Sequence, residues 1–195
     1  MKLIGGIAVV LQSDNTSRPA AINDNDLVVG YSAFIGGVSF GQPTAMEWRN
    51  GIGTKLDEMP SAASAVNSRG DVTGFSNGSN VIWKIGSSGS FALMRLHVFK
   101  AGNSEGTSGI NNCDVVVGQS SNIAIVWTNH KVYDLNKLTL NRPGFTMNNA
   151  VGINNRGEIV GSGTSLRTGL THGFLLTPIC PPKHSGCANG VEKMN

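Results

Sequence analysis

Charge is scarce in this chain: 14% of its 195 residues are charged, against roughly 25% in an average globular protein. The 15 basic and 12 acidic residues leave a net charge of +3, with no run of lysine or arginine and no basic stretch interleaved with aromatics. Nucleic acid is therefore excluded as the expected partner. No apolar run approaches the ~18 to 20 residues of a membrane helix, so no membrane span is expected. A 3.6-residue apolar period is missing as well, which argues against helical repeats. The three cysteines, Cys113, Cys180 and Cys187, are an odd count without a repeating interval, so no disulfide framework can be read from them. Residues 3–11 have the apolar character of a signal h-region, but the n-region is minimal and no small-x-small cleavage site follows.

Glycine is abundant instead. Its 26 copies are about twice the usual ~7% share and suit short strands joined by tight turns. One phrase also returns. Ile22-Asn23-Asp24-Asn25-Asp26-Leu27-Val28-Val29-Gly30 is echoed at 66–74, 110–118 and 153–161. The asparagines Asn23, Asn67, Asn111 and Asn154 lead the glycines Gly30, Gly74, Gly118 and Gly161 by the same interval. The period is about 44 residues, a length at which one supersecondary unit buries its apolar face only by packing on its copies.

Each unit reads as four short strands. The first ends at the asparagine, with small residues just before it (Ala20-Ala21, Ser64-Ala65, Ser108-Gly109, Val151-Gly152) that let neighbouring units approach. The asparagine then opens a turn, because its side chain bonds the backbone two residues on, and Gly, Asp or Asn at the turn's end tolerates the left-handed conformation. A short β-branched second strand follows, and its glycine predicts a bend or a close backbone contact. The third strand carries an aromatic: Trp48, Trp83, Trp127, and Phe174 in the last unit. These rings are expected to pack between adjacent sheets, a reading preferred over sugar stacking because of their regular placement. The fourth strand is read as carrying a Leu-x-x-Leu/Met ending, at 56–59, 93–96 and 135–138.

Four strands in about 44 residues match one β-propeller blade. The expected fold is all-β: a propeller-like array of four four-stranded repeats over residues 1–178, with units at about 18–60, 61–100, 105–140 and 148–178. Residues 1–10 look like a stray fourth strand, and the last unit lacks its own, stopping at Pro178 before a Pro- and Cys-containing tail over 179–195. Two arrangements fit: a four-bladed ring clasped by the N-terminal strand, or part of a longer array.

The phrases resemble the HAF repeat, a motif of bacterial extracellular proteins that runs Ala-x-x-Ile-Asn-x-x-Gly-x-Ile-Val-Gly-x-Ser, then Ala-Phe-x-Trp, then a Leu-rich ending. Residues 150–161 followed by His172-Gly173-Phe174-Leu175 are the closest copy, and Gly118-Gln119-Ser120 with Trp127 and Asp134-Leu135-Asn136 is another. Asp26 and Asp114 stand where the motif has glycine, and the first unit carries an insertion between Ala33 and Thr44. The resemblance implies a secreted or surface-associated β-propeller-like protein. It supplies no catalytic residues.

Other chemistries find little support. Asp24-Asn25-Asp26 lacks the sixth-position glycine and twelfth-position glutamate of a calcium loop. Cys180, His184 and Cys187 are one ligand short of a structural zinc site, and a Cys180–Cys187 disulfide is preferred if the protein is exported. Cys113 reads as an incidental free thiol. His97, His130 and His172 fall at different places in their repeats and predict no converging site, and no Gly-x-Ser-x-Gly accompanies them. The expected function is a non-catalytic binding or scaffold module without metal or cofactor. A glycan or protein ligand would sit on the variable loops at 33–44 and 97–107. Two alternatives stand beside it: a carbohydrate-active hydrolase or lyase, and a truncated fragment without independent function.

Overall fold

In a computed structural model, described for residues 8–13, 16–33, 35–36, 39–58, 60–85, 91–97, 99, 105–140 and 144–179, the chain forms four antiparallel sheets. Sheet 1 contains β1 (Thr16–Ile22) and β2 (Val28–Ala33). After β2 the insertion forms a separate small pair, β3 (Ile35–Gly36) with β4 (Ser39–Phe40). β5 (Thr44–Arg49) and β6 (Ile52–Lys55) then complete the order β1-β2-β5-β6. Sheet 2 is β7 (Ser61–Val66), β8 (Val72–Ser76), β9 (Ser79–Ile85) and β10 (Phe91–Arg95). Sheet 3 is β11 (Glu105–Ile110), β12 (Val116–Ser120), β13 (Ile123–Thr128) and β14 (Lys131–Asp134). Sheet 4 has three strands: β15 (Phe145–Ile153), β16 (Ile159–Ser165) and β17 (Thr171–Leu176).

The core is divided into three layers, one at each junction between sheets. Val29 and Ala45 of sheet 1 meet Ala63, Val72, Val81 and Trp83 of sheet 2. Ala65 and Ile82 meet Ile110, Val116, Ile125 and Trp127. Val117, Ala124 and Val126 meet Met147, Ala150 and Ile159. The alternation of strand side chains explains this division. In the second strands of sheets 2 and 3 one residue faces the preceding sheet and the next faces the following sheet, so both faces are covered. No cluster joins sheet 4 back to sheet 1, and the sheets form an open series among the described residues.

The glycine of each phrase lies inside its strand and makes a close contact there. A Cβ on Gly30, Gly74, Gly118 or Gly161 would overlap the carbonyl oxygen of Arg18, Ala62, Gly106 or Asn149, respectively. At each site the first strand changes register, between Pro19 and Ala21, Ala63 and Ala65, Thr107 and Gly109, and Ala150 and Gly152. A bulge turns one carbonyl toward the neighbouring strand, and only glycine leaves room for it.

Two expected fourth strands are displaced. Residues 135–138 form a single helical turn, α1 (Leu135–Leu138), capped by the Asp134 side chain accepting from the Asn136 amide, and the fourth strand of sheet 3 is the preceding β14. In sheet 1 it is β6, ahead of residues 56–59. In both units the leucine phrase lies after the strand: Leu56 packs against the first core layer, and Leu135 and Leu138 against the third. Of the N-terminal segment, residues 8–13 lie along sheet 1, where the Gln12 amide donates to Gly51 O at 2.7 Å.

Candidate functional site

The repeated asparagine does two separate tasks. Its Oδ1 accepts from backbone amides two and four residues on: Arg69 and Asp71 for Asn67, at 3.0 and 2.9 Å, and Cys113 and Val115 for Asn111, at 2.9 and 3.1 Å. Asn23 and Asn154 close their turns in the same way. The Nδ2 reaches outward to the next unit. Asn23 donates to Asn67 O at 2.9 Å, Asn67 to Asn111 O at 3.1 Å, and Asn111 to Asn154 O at 3.2 Å. A second rung runs beside it, Ser68 N to Asn112 Oδ1 at 3.0 Å and Asn112 N to Asn155 Oδ1 at 2.9 Å. The amide side chain serves both tasks at once because its acceptor oxygen and its two-hydrogen donor nitrogen are separate atoms.

The indoles of Trp48, Trp83 and Trp127 are buried. Trp48 Nε1 donates to Gln12 O at 2.9 Å and Trp127 Nε1 to His97 O at 2.8 Å. Residues 8–13 thus lie over Trp48 as the segment after β10 lies over Trp127. Phe174 packs in the third core layer in the corresponding place.

A charge cluster ties sheet 2 to sheet 3. Lys84 Nζ lies 3.1 Å from Asp71 and 2.7 Å from Asp114, and the Arg69 guanidinium contacts the same two carboxylates. Burial alone would raise the Asp71 carboxyl. The Asn67 amide, Lys84 and Arg69 outweigh that penalty and hold it below the usual carboxylate range. Glu47 is the opposite case. It faces sheet 2, and its Oε2 lacks a hydrogen-bond partner. Burial pushes its pKa up, and Arg49, 3.6 Å away, offsets this only in part.

Beside the cluster is a cleft of about 190 Å³ between sheets 2 and 3, lined by Lys84, Arg95 and His97 on one side and by Asp114, His130 and Lys131 on the other. Arg95, His97, His130 and Lys131 are exposed. Neither Arg95 nor Lys131 forms an ion pair among the described residues. The cleft corrects one expectation: His97 and His130 do converge, because the segment after β10 of one unit meets the β13–β14 turn of the next. His172 remains apart on β17. Their different positions within the repeat concealed the convergence, since a junction brings together two different parts of the unit.

Of the two variable loops, side chains over 34–40 and residues 98 and 100–104 lie outside the described residues, and His97 is the part of the second loop that reaches the cleft. Cys113 is disulfide-bonded, not the free thiol expected; the Cys180–Cys187 pairing and His184 lie outside the described residues. Among the described residues no group of three or more His, Cys, Asp or Glu side chains could hold a metal ion. Among them, too, no helix is long and apolar enough to cross a membrane. The chain matches no family model, no curated protein and no solved structure in the comparisons made.

Proposed function

We propose that this chain is a non-catalytic binding module of a secreted or surface-associated, propeller-like protein of the HAF-repeat type, and that the cleft between sheets 2 and 3 takes an acidic glycan. The observation that carries the reading is the cleft's charge balance. Among the described residues the cleft has one carboxylate, Asp114, which Arg69 and Lys84 already pair, and this leaves Arg95 and Lys131 as its further cations. Arg95 and Lys131, exposed and without an ion pair among the described residues, attract carboxylate or sulfate groups on this concave surface and give salt-dependent binding. The Cys113 disulfide supports an oxidising compartment. Four sheets joined at successive faces support the propeller-like arrangement.

A hydrolase or lyase is the less supported reading. Glycoside hydrolysis uses two carboxyl groups across the scissile bond, one of them a proton donor. Among the described residues the cleft offers Asp114 alone, and the neighbouring Asp71 is held below the usual carboxylate range. The test is retention on an array of uronate-containing and sulfated glycans at low and high salt, alongside a reducing-end assay. Salt-sensitive retention without turnover is expected, lost in Arg95→Glu/Lys131→Glu with its melting curve unchanged. Retention that survives this double reversal, or release of new reducing ends, would refute the proposal.

A further inference from the structure

The geometry points to a head-to-tail interface: the outer face of sheet 4 on one copy of this chain receives the outer face of sheet 1 on a second copy. Both halves are visible because the three internal junctions show what each face is for.

The forward face comes first. The residue before the repeated glycine looks toward the next sheet, and Val29, Thr73 and Val117 are fully buried there. Their cross-strand partners in sheets 2 and 3, Ile82 and Val126, are buried with them. In sheet 4 the same pair is Val160 and Leu175, 45% and 63% exposed, and Val151 beside them is 50% exposed. Three adjacent apolar side chains are bare on a surface that the rest of the molecule uses for packing.

The backward face is equally incomplete. The residue before each asparagine packs on the preceding sheet, as Val66, Ile110 and Ile153 do. Ile22, at that position in the first unit, is 64% exposed. The polar groups match too. Asn67 Nδ2 uses its two hydrogens on Asp71 Oδ2 and on the carbonyl of the next asparagine. Asn154 Nδ2 bonds Glu158 Oε2 at 2.5 Å in the first role and has no acceptor in the second among the described residues. Asn67 O receives an amide from the previous unit as well as the Gly70 N–H, whereas among the described residues Asn23 O receives only the Asp26 N–H. A spare donor on one face and a spare acceptor on the other continue the ladder in register.

Sheet 4 also lacks what a second copy brings. It has three strands and is followed by no counterpart, among the described residues, of the segment that lies over Trp127. The first unit already carries that segment, as residues 8–13 over Trp48. The occupant is therefore a second copy of this chain, and the contact is heterologous, able to propagate or to close into a ring of several copies.

Sedimentation velocity of the full chain from low to high micromolar concentration tests this, with circular dichroism melts confirming that each variant folds. The wild type is expected to grow with concentration. Leu175→Arg blocks one face and Ile22→Arg the other, and each should weaken self-association at least about tenfold. Mixed together, the two variants retain one good face each and should form a 1:1 dimer that grows no further. A wild type that stays monomeric throughout, or a mixture that fails to pair, overturns the interface. So does efficient cross-linking of Ile22→Cys to Leu175→Cys within a single chain, which would assign the face to the chain's own first sheet.

Discussion

Asn67 and Asn154 occupy the same place in their repeats, one inside the array and one at its open end. Asn67 is buried, closes its turn, holds Asp71 and donates to Asn111 O. Asn154 closes its turn in the same way with amides two and four residues on, yet among the described residues its outward hydrogen has no acceptor in a further unit. The turn is local and survives the loss of a neighbour. The ladder is tertiary, and it converts a row of independent turns into a connected strip.

The largest separation between the two settings should come from truncating both residues. Asn67→Ala removes a buried amide and leaves the Asp71 carboxylate and the Asn111 carbonyl short of donors, a loss of about 3 to 4 kcal/mol. Asn154→Ala loses an exposed turn-closing side chain and should cost about 1 kcal/mol. Chemical denaturation of the two variants measures the difference directly. Equal losses would mean that the links between units contribute nothing beyond the turns.

A second contrast lies in the forward-facing position of the third strand. Leu175 is an exposed leucine at the open end, whereas Glu47 is a carboxyl enclosed at the first junction. Its raised pKa means that the folded protein favours the protonated acid. The stability this gives is complete below the ordinary glutamate value of 4.5 and is lost as pH rises through the higher folded value. Glu47→Gln should therefore stabilise the protein by about 1 kcal/mol at neutral pH and by little at acid pH. Asp71 has the opposite sign, since its folded pKa is depressed. Its contribution is present above the ordinary aspartate range, falls as the solution is acidified, and should vanish from the acid limb in Asp71→Asn. Denaturation midpoints across pH for the two variants should diverge from wild type in opposite directions at neutral pH, Glu47→Gln upward and Asp71→Asn downward, and both should approach wild type in acid.

The smallest effect compares two turn aspartates. Asp26 and Asp114 both adopt φ of 59°, where two sister turns have Gly70 and Gly157. Asp26→Gly relieves a left-handed residue at the outer unit and should gain about 0.5 to 1 kcal/mol. Asp114→Gly gains the same relief but gives up the partner of Arg69 and Lys84 at an inner junction, so its melting temperature should fall below that of Asp26→Gly.

Much of this was legible in the chain because turns are short-range. An asparagine followed two to four residues later by backbone amides announces its own geometry, and the glycine seven positions on announced a close approach. The leucine phrases misled at 56–59 and 135–138, because apolar spacing marks a side chain for a core without saying whether a strand or a turn carries it. Asp134, a good cap, was the local signal for the helix at 135–138. The cleft was hidden for a different reason: His97 and Arg95 belong to one unit and His130 and Lys131 to the next, at unrelated places in the repeat.

Period, strand succession and turn chemistry were thus determined by sequence alone, since each depends on contacts within a few residues. Only the tertiary structure decided which faces meet, where each asparagine's second hydrogen goes, which cations share a cleft, and that Glu47 is enclosed while Val160 and Leu175 are bare. Those outcomes depend on the neighbouring sheet, and four nearly identical phrases have different neighbours at the ends of the series than in its middle.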